Sequence, residues 1–392
     1  MGRAGAEKAL IALLKVMNPD DFEVDFLSVI NRGELFGDIP EYVNILNENP
    51  RKESLMTSGG NKFLIKAVIG ALFHKCYFII HLPYLIKNIF LQMKNGHLML
   101  EKLFWHALIM KLPVIKKEYD LAMAFTEGAS TYYVAKKVNA RKKAAFVQVD
   151  YKIAGYIKSI DKKYYDKIDT IFMVSPSVLD GFAKIYPEYD KNKLKTFQHV
   201  IIPQELKELA RKGDGFDDGF DGVKLLTVAR LHPQKALDVA VPAFARLLEM
   251  GCDNVRWYII GEGSERERLE ELIEKHNVKD SFILLGERSN PYPEFEQCDI
   301  YIQATHFEGW SIALASALVF NRPCIVSNVA GNREQIKDNE TGLIIDLTEE
   351  NLANAIKRLA DDEELRNKFT KNHEQQSSDY MKDVKLLYEL SE

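Results

Sequence analysis

Ala304-Thr305-His306-Phe307-Glu308-Gly309-Trp310-Ser311-Ile312-Ala313-Leu314-Ala315-Ser316-Ala317 follows an apolar strand expected over 299–303 and opens an alanine-rich helix. A parallel strand that feeds a helix N-terminus is where α/β proteins hold phosphorylated ligands. The helix end offers free N–H groups and about half a positive charge. Glu308, at the mouth of this turn, reads either as a helix cap or as a carboxylate that binds hydroxyls. One such turn is common. Its meaning depends on whether other turns of the same kind share its sheet.

Short apolar runs recur along the chain. In the first half they lie at 22–30, 42–46, 120–125, 144–149, 170–174 and 195–201, with a first helix over 6–17. A Gly/Asp-rich break at 212–222 follows. The rhythm then resumes at 223–229, 255–260, 281–285, 298–303, 323–327 and 342–346, each run leading into a helical stretch. Strands alternating with helices predict an α/β fold with parallel sheets. The expected architecture is two Rossmann-like doubly wound domains facing each other across a cleft. Residues 1–203 form the first and 204–375 the second, with a closing helix over about 376–392 that returns to the first.

The opening of the chain departs from this plan. Met1-Gly2-Arg3-Ala4-Gly5-Ala6-Glu7 is already a glycine-rich turn entering a helix, whereas a doubly wound domain begins with a strand that sits at the sheet centre. Two expectations follow: a start placed too late by roughly ten residues, about one strand length, or a truncation that weakens the first domain.

Composition narrows the class. Of 392 residues, 46% are hydrophobic and 28% charged, as in an ordinary globular protein. The four cysteines (Cys76, Cys252, Cys298, Cys324) lack paired spacing, which excludes a disulfide or zinc framework. No signal peptide and no 18-residue apolar run is present, so a spanning helix is not expected. The net charge of −5 divides into +8 over residues 1–200 and −13 over the remainder. Residues 61–117 hold nine Lys/Arg against the single acid Glu101, interleaved with Phe, Leu, Ile, Tyr and Trp. This stretch reads either as a membrane-surface face or as a helical layer with a solvated lysine side.

The second half carries the chemistry. Val228-Ala229-Arg230-Leu231-His232-Pro233-Gln234-Lys235 sets two cations in a strand-to-helix turn, a pair suited to a diphosphate. Ile260-Gly261-Glu262-Gly263-Ser264 and Leu285-Gly286-Glu287 follow the next two strands, and glycines there let backbone approach a ligand or turn sharply. Asn290-Pro291-Tyr292-Pro293 is a rigid turn whose backbone suits a nucleotide base. Successive strand ends of one sheet share a rim, so Arg230, Lys235, Gly261, Gly286 and Glu308 converge on one crevice. Asp217-Asp218 falls in the break at 212–222 and reads as solvated linker. No Asp-x-Asp motif lies in a phosphate-facing loop.

With these motifs the chain resembles a family 4 glycosyltransferase of the GT-B fold, closest in kind to bacterial members that build surface polysaccharides or glycolipids. Ala330-Gly331-Asn332-Arg333-Glu334-Gln335-Ile336 through Thr341-Gly342-Leu343 extends the match in the second half. Phe125-Thr126-Glu127-Gly128, Val147-Gln148-Val149-Asp150-Tyr151 and Val174-Ser175 carry it more loosely in the first. The resemblance implies retaining, metal-independent transfer from a nucleotide-sugar, with UDP the default, to a glycan or lipid-linked acceptor. No metal and no cofactor are expected, and no nucleic acid.

The same resemblance implies site roles. Arg230 and Lys235 would hold the donor diphosphate, and Glu308 would lie at the sugar hydroxyls. Gln148 or Asp150 would act at the reacting centre. Gly2, Gly5, Gly261, Gly263, Gly286, Glu287, Gly309, Trp310, Ser311, Ile312 and Ser316 would line the donor. Two positions depart from the family pattern. Ser316 stands where members place a second glutamate that grips ribose, and Gln148 where many place a histidine. A charged hydrogen bond is worth about 1.5–3 kcal/mol, and glutamine cannot exchange a proton near neutral pH. Asp150 has its own bland reading as a cap before Tyr151. Two other readings therefore stand beside the transferase: a nucleotide-sugar-binding partner subunit without turnover, and a nucleotide-sugar epimerase using His199, His232 or His306. The expected location is cytoplasmic, peripheral on the inner face of the plasma membrane.

Overall fold

The computed structural model describes residues 5–29, 34–47, 66, 69–70, 77–94, 109, 112–375 and 379–391. The chain divides into two compact units, Met1–Val200 with Tyr380–Glu392, and Ile201–Asp379.

The second unit is one six-stranded parallel sheet. Its strands are β7 (Val223–Val228), β8 (Val255–Ile260), β9 (Phe282–Gly286), β10 (Ile300–Gln303), β11 (Cys324–Ser327) and β12 (Gly342–Ile345), in the order β12-β11-β10-β7-β8-β9. Both faces are covered by helices, so the central strands are mostly apolar rather than alternating. Helices Leu237–Glu249 and Glu349–Asp361 pack together on one face. Phe244, Trp257 and Phe282 form an aromatic centre between them and the sheet. The buried indole of Trp257 donates to Thr227 Oγ1, which donates on to Ile302 O, so this core holds no stranded donor there. Thr348 caps the Glu349–Asp361 helix by accepting from Asn351 N.

The break at 212–222 is not a solvated linker. Asp218 accepts from Arg256 (2.8 Å) and from the Tyr258 hydroxyl (2.6 Å), Phe216 lies 4.3 Å from the Tyr258 ring, and Arg256 covers Phe220. Polar composition hid this, because the segment is held by hydrogen bonds and ring faces rather than by an apolar stripe.

In the first unit, β3 (Ile115–Ala124), β4 (Val138–Val147), β5 (Thr170–Met173) and β6 (Leu194–Thr196) form a parallel sheet in sequence order. Phe146, Phe172 and Phe197 interlock beneath it. β3 and β4 begin several residues earlier than their apolar runs, because Lys116–Asp120 and Asn139–Lys143 pair as a mostly exposed, polar extension. The strands β1 (Asp25–Phe26) and β2 (Asn44–Ile45) make a separate parallel pair. β1 reaches β3 through side chains: Asp25 accepts from Tyr119 OH (2.6 Å) and Lys117 Nζ (3.0 Å). The helix Gly5–Val16 buries Ala9, Ile11, Leu13 and Leu14. The C-terminal helix Lys385–Ser391 buries Leu387, packs Tyr388 edge-on to Phe22, and is preceded by Asp383, which accepts from Gln198 N.

Candidate active site

The sheet order of the second unit reverses between β10 and β7: β7, β8 and β9 run outward one way, β10, β11 and β12 the other. A crevice opens beyond the C-terminal ends of strands at such a switch point. Arg230 leaves β7 into it and is exposed, with no ion pair among the described residues. Lys235 ends the 3-10 turn Pro233–Lys235, and Ala236 in the left-handed region (φ 47°) redirects the chain into the next helix. Glu308 comes from the other side of the switch, after β10. Its Oε2 receives Lys235 Nζ at 2.5 Å and Gln303 Nε2 at 3.1 Å. The two charged side chains are only 15% and 13% exposed, so their attraction is screened far less than that of a surface pair.

The two loops that carry these groups are zipped together. Gln234 O accepts from Thr305 Oγ1 (3.0 Å) and His306 N (2.9 Å), while Gln234 Nε2 donates to Phe307 O (2.9 Å). Gln303 is itself aimed by the buried Tyr301 hydroxyl, which donates to its Oε1. His232 caps the 3-10 turn by accepting from Gln234 N. Partial burial, then the neighbouring Arg230 charge, holds the His232 pKa below its ordinary value.

Behind Glu308, the helix Ile312–Val319 is capped by Ser311 Oγ, which accepts from Leu314 N. The Gln335 side chain clamps Ser311 on both sides, accepting from its N–H and donating to its C=O. The first-turn donors not taken by these two side chains are the N–H groups of Ile312 and Ala313, an anion-binding arrangement. Gly309 and Trp310 are buried behind the turn.

The glycines serve backbone approach. A Cβ on Gly261 (φ 147°) would sit 1.9 Å from Ala229 O, and one on Gly263 2.1 Å from Leu231 O. They let the turn after β8 press against the turn that holds Arg230. Gly286 (φ 78°) accepts Gly261 N, with Glu287 exposed beyond it. Past Glu287, Arg288 is bound to Gly215 O and to buried Glu294, so the loop before Asn290 is tied down. Burial pushes the Glu294 carboxyl up in pKa.

Ser316 is buried on the helix Ile312–Val319, and its hydroxyl donates back to Ile312 O at 2.9 Å. Gln303, Gln234 and Gln335 have roles in this geometry that no motif of the sequence assigns to them. The one available signal for Gln303 was a polar residue closing an otherwise apolar strand.

In the first unit, Gln148 N donates to Glu127 Oε2 (3.1 Å) and its Nε2 to Phe125 O (2.7 Å), leaving a buried Oε1 without a partner. Asp150 Oδ1 accepts from Lys152 N and Ile153 N, the capping arrangement. Gly5 begins the first helix, and Gly2 lies outside the described residues.

Residues 219–376 match the family of glycosyl transferases group 1. An N-acetylgalactosamine-N,N'-diacetylbacillosaminyl-diphospho-undecaprenol 4-alpha-N-acetylgalactosaminyltransferase of Campylobacter jejuni is 27% identical over 207 residues, 52% of this chain and 54% of that protein. A UDP-Gal:alpha-D-GlcNAc-diphosphoundecaprenol alpha-1,3-galactosyltransferase of Escherichia coli is 31% identical over 185 residues, 46% of each chain. The chain thus spans about half the length of these relatives. The crystal structure of Anabaena HepE in complex with UDP superposes with a TM-score of 0.64 at 14% identity, covering 98% of this chain and 95% of that one. The family match thus falls on the second unit, residues 219–376, and the chain shares the fold of the HepE structure.

Proposed function

We propose that this chain transfers a sugar, with retention and without a metal, from a UDP-sugar to a glycan or lipid-linked acceptor in cell-surface polysaccharide synthesis. The observation that carries the reading is the junction at the β7/β10 switch: exposed Arg230, Lys235 paired with Glu308, and helix N–H groups on one rim. The two cations and the helix end supply the charge that a departing nucleoside diphosphate needs. Before the donor arrives, Glu308 satisfies Lys235. On binding, the diphosphate takes the lysine and the carboxylate turns to sugar hydroxyls. The relatives named above act on diphospho-undecaprenol-linked acceptors, which supports a lipid-linked acceptor and a peripheral place on the inner face of the plasma membrane.

Calorimetric titration of UDP and GDP in EDTA tests this. Binding of UDP with Arg230-dependent affinity is expected, and no binding of either nucleotide would overturn the donor assignment. One observation favours a second reading, a partner subunit that binds a nucleotide-sugar without turnover: the Ser316 hydroxyl is already spent on Ile312 O of its own helix. UDP binding with no transfer to any undecaprenyl-diphosphate glycan, and no donor hydrolysis, would select it.

A further inference from the structure

Gln303 ends β10 after Ile300, Tyr301 and Ile302. It is 3% exposed, in a strand flanked by β7 and β11, with Val326 of β11 directly beside it. A buried amide costs free energy unless its oxygen and its nitrogen are both bonded. An aliphatic side chain would fill the same place without that cost. What the amide bonds to is therefore what the position is for.

Both of its ends are engaged. Tyr301 lies two residues back on the strand, so it shares a sheet face with Gln303. Its hydroxyl donates to Gln303 Oε1 at 2.9 Å, and its fully buried ring lies 5.4 Å from that of Phe295. With the oxygen so occupied, Nε2 is turned to Glu308 Oε2 at 3.1 Å. A flipped amide would set its own oxygen against the carboxylate, two acceptors face to face. Gln303 is thus committed as a donor, and it acts from a strand rather than a loop. The backbone around it is tied down as well: Ser327 Oγ donates to Gln303 O and accepts from Thr305 N.

Glu308 uses its two oxygens unequally. Oε2 takes both Lys235 Nζ, at 2.5 Å, and Gln303 Nε2. Oε1 has no hydrogen bond among the described residues. The two donors on Oε2 differ in kind. Lys235 is a cation on a flexible stem, and a diphosphate offers it more negative charge than one carboxylate does. The amide is neutral, buried and fixed at its far end, so it stays when the lysine leaves.

We propose that Gln303, set by Tyr301, is a positioning residue for Glu308: it holds Oε2 as a fixed pivot once a nucleoside diphosphate has drawn Lys235 away, and so presents Oε1 to the hydroxyls of the donor sugar. This rests on the donor reading above and adds how the carboxylate keeps its aim without the lysine. Without Gln303 the carboxylate follows the lysine or swings into solvent. The site then binds the nucleotide but loses its grip on the sugar.

Calorimetric titration in EDTA tests this, with UDP, UDP-glucose, UDP-galactose and the two corresponding UDP-N-acetylhexosamines as probes. The quantity read is the affinity for the tightest-bound UDP-sugar divided by the affinity for UDP, which isolates the sugar contacts. Gln303→Met keeps the volume and removes the donor. It is expected to lower this ratio about tenfold and to leave UDP affinity within about twofold of wild type. Tyr301→Phe frees the amide to flip and is expected to lower the ratio by about threefold. It removes a single buried oxygen, so it carries the test if Gln303→Met loses UDP as well. Retained UDP affinity shows in each case that the second unit is folded. Glu308→Ala is expected to lower the ratio at least as far as Gln303→Met. The double variant should fall no further than Glu308→Ala alone, whereas a merely structural glutamine would add its own loss. An unchanged ratio in Gln303→Met or in Glu308→Ala, or two losses that multiply in the double variant, overturns the proposal while UDP binding leaves the donor reading standing. A wild-type chain that binds no UDP overturns the donor reading itself, and this inference with it.

Discussion

Lys235 and Glu308 illustrate how two ordinary residues become a device. In sequence they are 73 residues apart; in the fold they meet at 2.5 Å with little exposure. Arg230, exposed beside them, has no such partner to lose, so Arg230→Ala should leave the melting temperature within about a degree or two and cut turnover by about 10²–10³-fold. A radiolabelled-donor assay beside a thermal melt checks both. Lys235→Ala should cost as much in rate, and in addition strand the Glu308 carboxylate. If both variants turn over at the wild-type rate, the phosphate assignment fails. Ser316 sits at the opposite pole. Because its hydroxyl already bonds Ile312 O, Ser316→Ala should change UDP affinity by no more than about twofold and stability by no more than about 1 kcal/mol. A tenfold loss of UDP affinity would show that the serine does reach the ligand.

At the scale of elements, the site depends on backbones held closer than any side chain permits. The short helix Ala330–Arg333 places Gly331 so that a Cβ would lie 2.6 Å from both Glu308 O and Gly309 O. Gly331→Ala must therefore push the Glu308 turn away from Lys235. The expected result is a loss of about 1–3 kcal/mol in stability together with a fall in turnover that Gln335 cannot repair, since its clamp acts on Ser311. Denaturant melts and rates on the same preparation read this out; an active, stable variant would mean that the turn yields without cost. The segment 212–222 is held likewise, with a Cβ on Gly215 meeting Gln297 at 2.2 Å and Arg288 joining Gly215 to Glu294.

Across the whole molecule, each unit buries a neutral histidine. Burial depresses His199 in the first unit and His373 in the second to about 4. Unfolded, each titrates near the ordinary 6.5, so between those values the unfolded chain binds more protons than the folded one. Stability is therefore complete above about pH 6.5 and falls as the pH drops toward 4, by on the order of 3 kcal/mol for each histidine. Carboxylates held low by partners, such as Asp218 beside Tyr258 and Arg256, extend the loss further into acid. Urea melts from pH 7.5 to 4 should show this decline, with His373→Gln flattening the share of the second unit. A profile flat to pH 4.5 would contradict it.

The alternation of apolar runs with helical stretches was enough, in the sequence, to set both parallel sheets, because strand burial on two faces leaves a signal that needs no neighbour. The rim of glycines and cations after β7, β8 and β10 was equally readable, since strand ends of one parallel sheet must share an edge. Tertiary structure alone decided the rest. Whether Ser316 faces a ligand or its own helix, and whether Glu308 meets a lysine or water, depends on side-chain direction, which periodicity does not specify. The anchored strap at 212–222 and the polar halves of β3 and β4 escaped notice because hydrogen bonds, not apolar stripes, hold them. Asn88 and Gln92 are buried on the helix Tyr77–Lys94, and a sequence cannot say which side of a helix its protein occupies.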